Sequence, residues 1–224
     1  VNITLASLLA LAALLTSLGL RERGRALGGA RPLAALADTV TLRWPGRTGR
    51  AVPILLLFGI SVSLFYSAFG IKVYEALGRS SSAMGVVVSA ATLLGVASAP
   101  LYGRLVDRVG ALRGYLASCA MYVVYFLAGL VLSDPLVLAA LTLVPLFPLY
   151  YSSRVALLME LAPEERGSAS SVSSAIGALS EVSGNVLGGV LMSVVGAVDP
   201  VIAAAALLSG VSTALSARLA DNVK

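Results

Sequence analysis

Residues 103–113 read Gly-Arg-Leu-Val-Asp-Arg-Val-Gly-Ala-Leu-Arg, four charged side chains crowded between two long stretches that carry none. Upstream, 80–103 is uncharged; downstream, 114–133 is uncharged as well. About 20 residues cross the hydrocarbon layer of a bilayer as a helix, so the charged string reads as a tight connection between two transmembrane helices. The same reading extends outward. Uncharged runs cover 1–20, 51–71, 135–153 and 200–217, and 167–198 is interrupted only by Glu181. The expected fold is therefore an all-α membrane protein with seven transmembrane helices.

Composition points the same way. Of 224 residues, 58% are hydrophobic and 12% charged, against about 25% charged in soluble domains. This excludes a soluble enzyme or a nucleic-acid binder. With no histidine and one cysteine, disulfides within the chain, His/Cys metal sites and His-based catalysis are also excluded. No phosphate-cradling loop is present, which argues against direct ATP coupling, and no residue set calls for a cofactor.

The basic residues set the orientation. Segments 21–50, 104–113, the Arg166 turn and the C-terminal tail hold 13 of the 16 lysines and arginines, and all fall on one side of a seven-span chain. The positive-inside rule then places the N-terminus outside and the C-terminus in the cytoplasm of a cell-membrane protein. Residue 1 opens an apolar span with neither a basic n-region nor a small-residue cleavage site. That favours a truncated chain, or a start codon read as Val, over a signal peptide.

Three regions follow: a helix at 1–20, a basic linker at 21–50, and 51–224. In the linker, Leu33, Leu36, Ala37 and Val40 recur at helical spacing, which fits either a short amphipathic surface helix or a solvated connection. The six later spans split into triples, 51–132 and 136–217, that start on opposite sides and are thus inverted. The middle span of each carries small residues four apart. These are Ala91, Gly95, Ala99 and Gly103 in the first, and Ser173 with Gly177 and then Ser180, Gly184 and Gly188 in the second. Such spacing lets helix backbones approach closely in lipid.

The 103–113 string resembles the G-x-L-x-D-R-x-G-R-R signature of the major facilitator superfamily, which joins the second and third helices of a six-helix half on the cytoplasmic side. Leu161-Ala162-Pro163-Glu164-Glu165-Arg166-Gly167 and Gly184-Asn185-Val186-Leu187-Gly188-Gly189 resemble that family's turn before, and its glycine-rich stretch within, the eleventh helix. The resemblance implies that 51–224 is the C-terminal six-helix half, 1–20 the sixth helix and 21–50 the central loop, with the first five helices absent. It further implies a conformational latch at Gly103, Asp107, Arg108, Gly110 and Arg113. Asp107 can accept from Arg108 or Arg113, while the plainer reading is a solvated turn whose charges only fix topology.

Charges inside the spans are costly and so mark candidate sites. Glu181 lies fourteen residues past Gly167, about 21 Å along a helix, and Arg154, eight residues before Ala162, about 12 Å. Glu181, with Asn185 one turn on, reads either as a proton or substrate-charge site or as half of a buried ion pair with Arg154. Pro145 and Pro148 interrupt their span just before Tyr150, Tyr151 and Arg154, either as binding-site or hinge helices do in transporters or, more commonly, as a simple kink. Tyr151, Arg154, Glu181 and Asn185 are the candidate solute or proton pathway. Lys72 and Glu75 read as snorkelling near a span end, Phe58, Phe65 and Phe69 as packing, Cys119 as a small buried hydrophobe, and the uncharged spans 114–133 and 200–217 as lipid-facing.

The function that follows is secondary transport of a small solute by alternating access, driven by protons, another ion or the solute's own gradient. Its partners are the bilayer and a missing N-terminal half or second subunit. A seven-helix ligand-sensing receptor shares the topology and is the alternative. A retinal protein is not, because 200–217 holds no lysine.

Overall fold

The computed structural model describes residues 46–161 and 166–221. The expected span at 1–20, most of the linker and the 162–165 turn lie outside them. Seven helices run in order: α1 (Gly46–Ala76), α2 (Ser81–Val109), α3 (Ala111–Val131), α4 (Pro135–Thr142), α5 (Leu146–Leu161), α6 (Arg166–Val195) and α7 (Asp199–Asp221). Because α4 and α5 share one apolar stretch, the described residues provide six helical segments long and apolar enough to cross a membrane.

Local sequence explains the boundaries. Helix α1 starts five residues before its expected uncharged run, directly after Pro45. Asp134 caps α4 by accepting from the Leu136 and Val137 amides at 2.9 and 3.0 Å, with Pro135 at the first helical position. The span then breaks between Thr142 and Leu146, where Pro145 removes a donor and forces Val144 out of the helical region.

The expected loop 104–113 hardly exists as a loop. Helix α2 runs through Val109 and α3 begins at Ala111, so Gly110 alone makes the connection. Its φ of +88° is a conformation that a side chain would strain. Asp107 and Arg108 therefore occupy the last turns of α2, and Arg113 the first turn of α3.

Helix α1 packs mainly on α6 and α7, α3 on α5 and α7, and α2 on α5. Aromatic side chains of α1 and α3 fill the centre. Phe65 stacks on Phe126 at 4.1 Å and on Phe69 at 4.8 Å between ring centroids. A Cβ on Gly129 would stand 2.8 Å from the Phe65 ring, so only glycine leaves that ring its place. Phe58, Phe65, Phe69 and Cys119 are buried as expected.

Spans 114–133 and 200–217 each bury one face against neighbouring helices and turn the other outward. Helix α3 turns Val124 and Val131 outward but buries Tyr115, Ser118, Tyr122 and Phe126; α7 buries Ser209, Ser212 and Ser216. Absence of charge does not say which way a helix faces. Buried hydroxyls do, since Ser212 donates to the Ile54 carbonyl of α1 at 3.0 Å.

Lys72 is likewise more than a snorkelling side chain. Its ammonium donates to the Gly129 and Leu130 carbonyls, both at 3.0 Å, and to Asp199 Oδ1 at 2.8 Å. Gly129 and Leu130 belong to the last turn of α3, whose carbonyls lack helical partners, and Asp199 opens α7. One cation thus ties the ends of α1, α3 and α7 together. Glu75 instead pairs with Arg79 at 3.3 Å on the surface.

Candidate functional site

Helix α5 resumes after the Pro145 break and carries Tyr150, Tyr151 and Arg154 in successive turns. Arg154 is 4% exposed. Its Nε donates to Ser173 Oγ of α6 at 3.0 Å, and its Nη1 donates to Tyr150 Oη at 3.1 Å. The guanidinium carbon lies 5.0 Å from the Tyr150 ring centre and 5.5 Å from that of Tyr151, within cation–π range. On α6, Gly177 makes room for it, because a Cβ there would lie 3.2 Å from the nearer guanidinium nitrogen. Gly177, expected as a helix-packing residue, is the seat of a charged group.

Arg154 and Glu181 do not form an ion pair. The two line one cavity of about 500 Å³ together with Tyr151, Asn185, Ser63 and Ser174, contributed by α1, α5 and α6. All four candidate pathway residues meet there. The expected buried pair fails because Tyr150, Ser173 and the aromatic faces satisfy the guanidinium locally, while Glu181 is exposed to the cavity.

The small residues of α6 and α2 take different roles. A Cβ on Gly184 would lie 2.6 Å from Ser63 Cβ and 2.8 Å from the Ile60 carbonyl oxygen, and one on Gly188 would lie 2.5 Å from Ser67 Oγ. Ser180 donates to the Leu56 carbonyl at 3.3 Å, and a Cβ on Gly59 would collide with the Ser180 hydroxyl. Gly59 thus completes the α1–α6 crossing. The signal that could have found it was present, since Gly59, Ser63 and Ser67 stand four apart on α1 and face Ser180, Gly184 and Gly188.

By contrast, a Cβ on Gly95 would meet only Pro148 Cγ, at 3.9 Å, and one on Gly103 would meet nothing. Gly95 and Ala99 are therefore not close-packing residues in this structure; both line an open groove.

At the Gly110 connection, Asp107, Arg108 and Arg113 are exposed, and Asp107 has no ion-pair partner among the described residues. Glu160 joins them: at the end of α5 it accepts from the Ala111 amide at 3.4 Å, placing a carboxylate at the positive end of α3.

A cavity reaching a buried cation between membrane-length helices suits solute passage rather than bond chemistry. Among the described residues no cluster of acidic or thiol side chains could hold a metal. The family model described as Major Facilitator Superfamily matches residues 51–222. Neither a curated protein nor a solved structure matches the chain. From the six spans, the 103–113 string in its helix–Gly110–helix setting and that match, the chain belongs to the Major Facilitator Superfamily, a family of multi-pass membrane transporters.

Proposed function

We propose that the chain is the C-terminal half, with its preceding helix, of a secondary transporter that carries a small solute by alternating access. The observation that carries this reading is the cavity shared by buried Arg154 and exposed Glu181. Packing supports an inverted pair of triples: α1 lies on α6 and α7 as α5 lies on α2 and α3. Exchange of the triples leaves that pattern unchanged, as a rocking half requires. In this reading the Gly110 end, with Arg104, Arg108 and Arg113, faces the cytoplasm and the Lys72 end faces outward. The 103–113 motif latches against the second half.

Glu181 is the proton site of this cavity. Arg154, Tyr66, Tyr150 and Tyr151 are the other ionisable groups on its wall. Vesicle flux tests both levels. The chain alone is expected to give no flux, and co-expression with the missing helices to restore it. In the restored transporter Glu181→Gln abolishes pH-driven flux while insertion and folding persist. Robust flux by the monomeric chain alone overturns the half-transporter reading; normal pH-driven flux by Glu181→Gln removes the proton assignment. Labelling of 104–113 from outside intact cells, in a Cys119→Ala background, reverses the orientation.

A further inference from the structure

A second cavity adjoins the Arg154 cavity across three shared wall residues. These are Tyr66, Phe147 and Tyr151, and the second cavity, of about 620 Å³, lies between α1, α2 and the α4–α5 span. Its remaining surface is mainly apolar, with Phe69, Val73, Val88 and Val96 among its walls, and Ala91, Gly95 and Ala99 of α2 give it width. Of the three serine and threonine hydroxyls on its walls, Thr92, Thr142 and Ser152, the two threonines are already engaged. Thr92 donates to the Val88 carbonyl and Thr142 to that of Leu138, both at 2.9 Å. A volume of this size suits a small-molecule body rather than a few waters.

Arg154 supplies recognition of a different kind. Two of its five N–H donors are spent on described partners, both uncharged, and no described acid lies within ion-pair distance. A buried guanidinium without a counter-ion is costly, and a bound anion removes that cost. A cation drawn to Glu181 does the opposite, adding a like charge to a cavity whose buried charge is already positive.

Resting on the transporter reading above, we propose that the solute is an amphiphilic anion. Its carboxylate or similar oxyanion is held by Arg154, and its apolar body, about the size of a phenyl-alkyl group, sits in the groove between α1, α2 and α4–α5. Tyr66, Phe147 and Tyr151 form the shared wall at which head and body meet.

Equilibrium binding to the solubilised full chain tests this without requiring flux. The probes are 4-phenylbutyrate, its neutral amide, 4-phenylbutylamine and acetate. Phenylbutyrate is expected to bind at least tenfold more tightly than each of the others. Arg154→Gln should erase the preference for carboxylate over amide. Gly95→Phe, which fills the groove where no neighbour is crowded, should erase the preference for phenylbutyrate over acetate and keep the chain folded. Equal binding of all four probes, no binding of phenylbutyrate by folded chain, or tightest binding of the amine overturns the proposal. The unaltered chain decides the anion claim even if Arg154→Gln fails to fold. Intact probe preference in a protein that never transports overturns the transporter reading alone. A working transporter that prefers neutral or cationic solutes overturns this inference alone.

Discussion

Helices α2 and α6 carry the same pattern of small residues at four-residue spacing and use it in opposite ways. On α6, Ser180, Gly184 and Gly188 press against α1 so closely that no added Cβ fits at either glycine. On α2, Ala91, Gly95 and Ala99 border open space. Small residues remove bulk; whether the vacated volume receives a helix or stays a cavity depends on what stands opposite. Helix α1 offers α6 a matching gap at Gly59, whereas α5 meets α2 through Pro148 and leaves the groove. The pattern alone therefore encodes closeness of approach as an option, and the partner helix decides it.

The comparison breaks most sharply at Gly184. Gly184→Leu forces a side chain into the Ile60 and Ser63 backbone region, and overpacking of this kind costs about 3 kcal/mol or more. Unfolding of the reconstituted chain should register it as a large loss of stability. Wild-type stability would falsify the close crossing. Next comes Gly59→Ala, expected to lose about 1–3 kcal/mol. Ser180→Gly in the same chain should recover most of that, because the clash is with the Ser180 hydroxyl; additive losses in the double-mutant cycle argue against direct contact.

Ser180→Ala removes only the bond to the Leu56 carbonyl and should cost about 0.6 kcal/mol, the usual worth of a hydrogen bond between membrane helices. Smallest of all is Gly95→Leu, expected within about 0.5 kcal/mol of wild type, as for substitutions with no crowded neighbour. A loss comparable to that of Gly184→Leu means that α2 is packed as tightly as α6. Thiol labelling in a Cys119→Ala background sharpens the contrast kinetically, with Gly95→Cys reacting and Gly184→Cys protected.

The six described spans were legible because charge is so expensive in lipid that its absence over about 20 residues has one main cause. Helix ends were less so. Arg104, Asp107 and Arg108 looked like a loop because they are charged, yet all are compatible with helix, and only Gly110 needs a left-handed backbone. The four candidate pathway residues were legible as rare polar groups within apolar spans, and they do converge on one cavity. Their pairing was not, because the partners Arg154 found are a serine and two tyrosines, common residues that carry no sequence signal. Lys72 escaped for the related reason that two of its three acceptors are backbone carbonyls, which every residue has.

That lysine also constrains the timing of biogenesis. Asp199 follows Lys72 by 127 residues, so at synthesis rates of about 5–20 residues per second the ammonium waits roughly 6–25 s for its carboxylate. The carbonyls of Gly129 and Leu130 arrive earlier and offer it neutral lodging at the end of α3. During that interval α1, α2 and α3 can associate, but the junction at their Lys72 end stays one ligand short. Helix α7 supplies it, so a nascent chain halted before α7 displays a lysine held by backbone carbonyls alone.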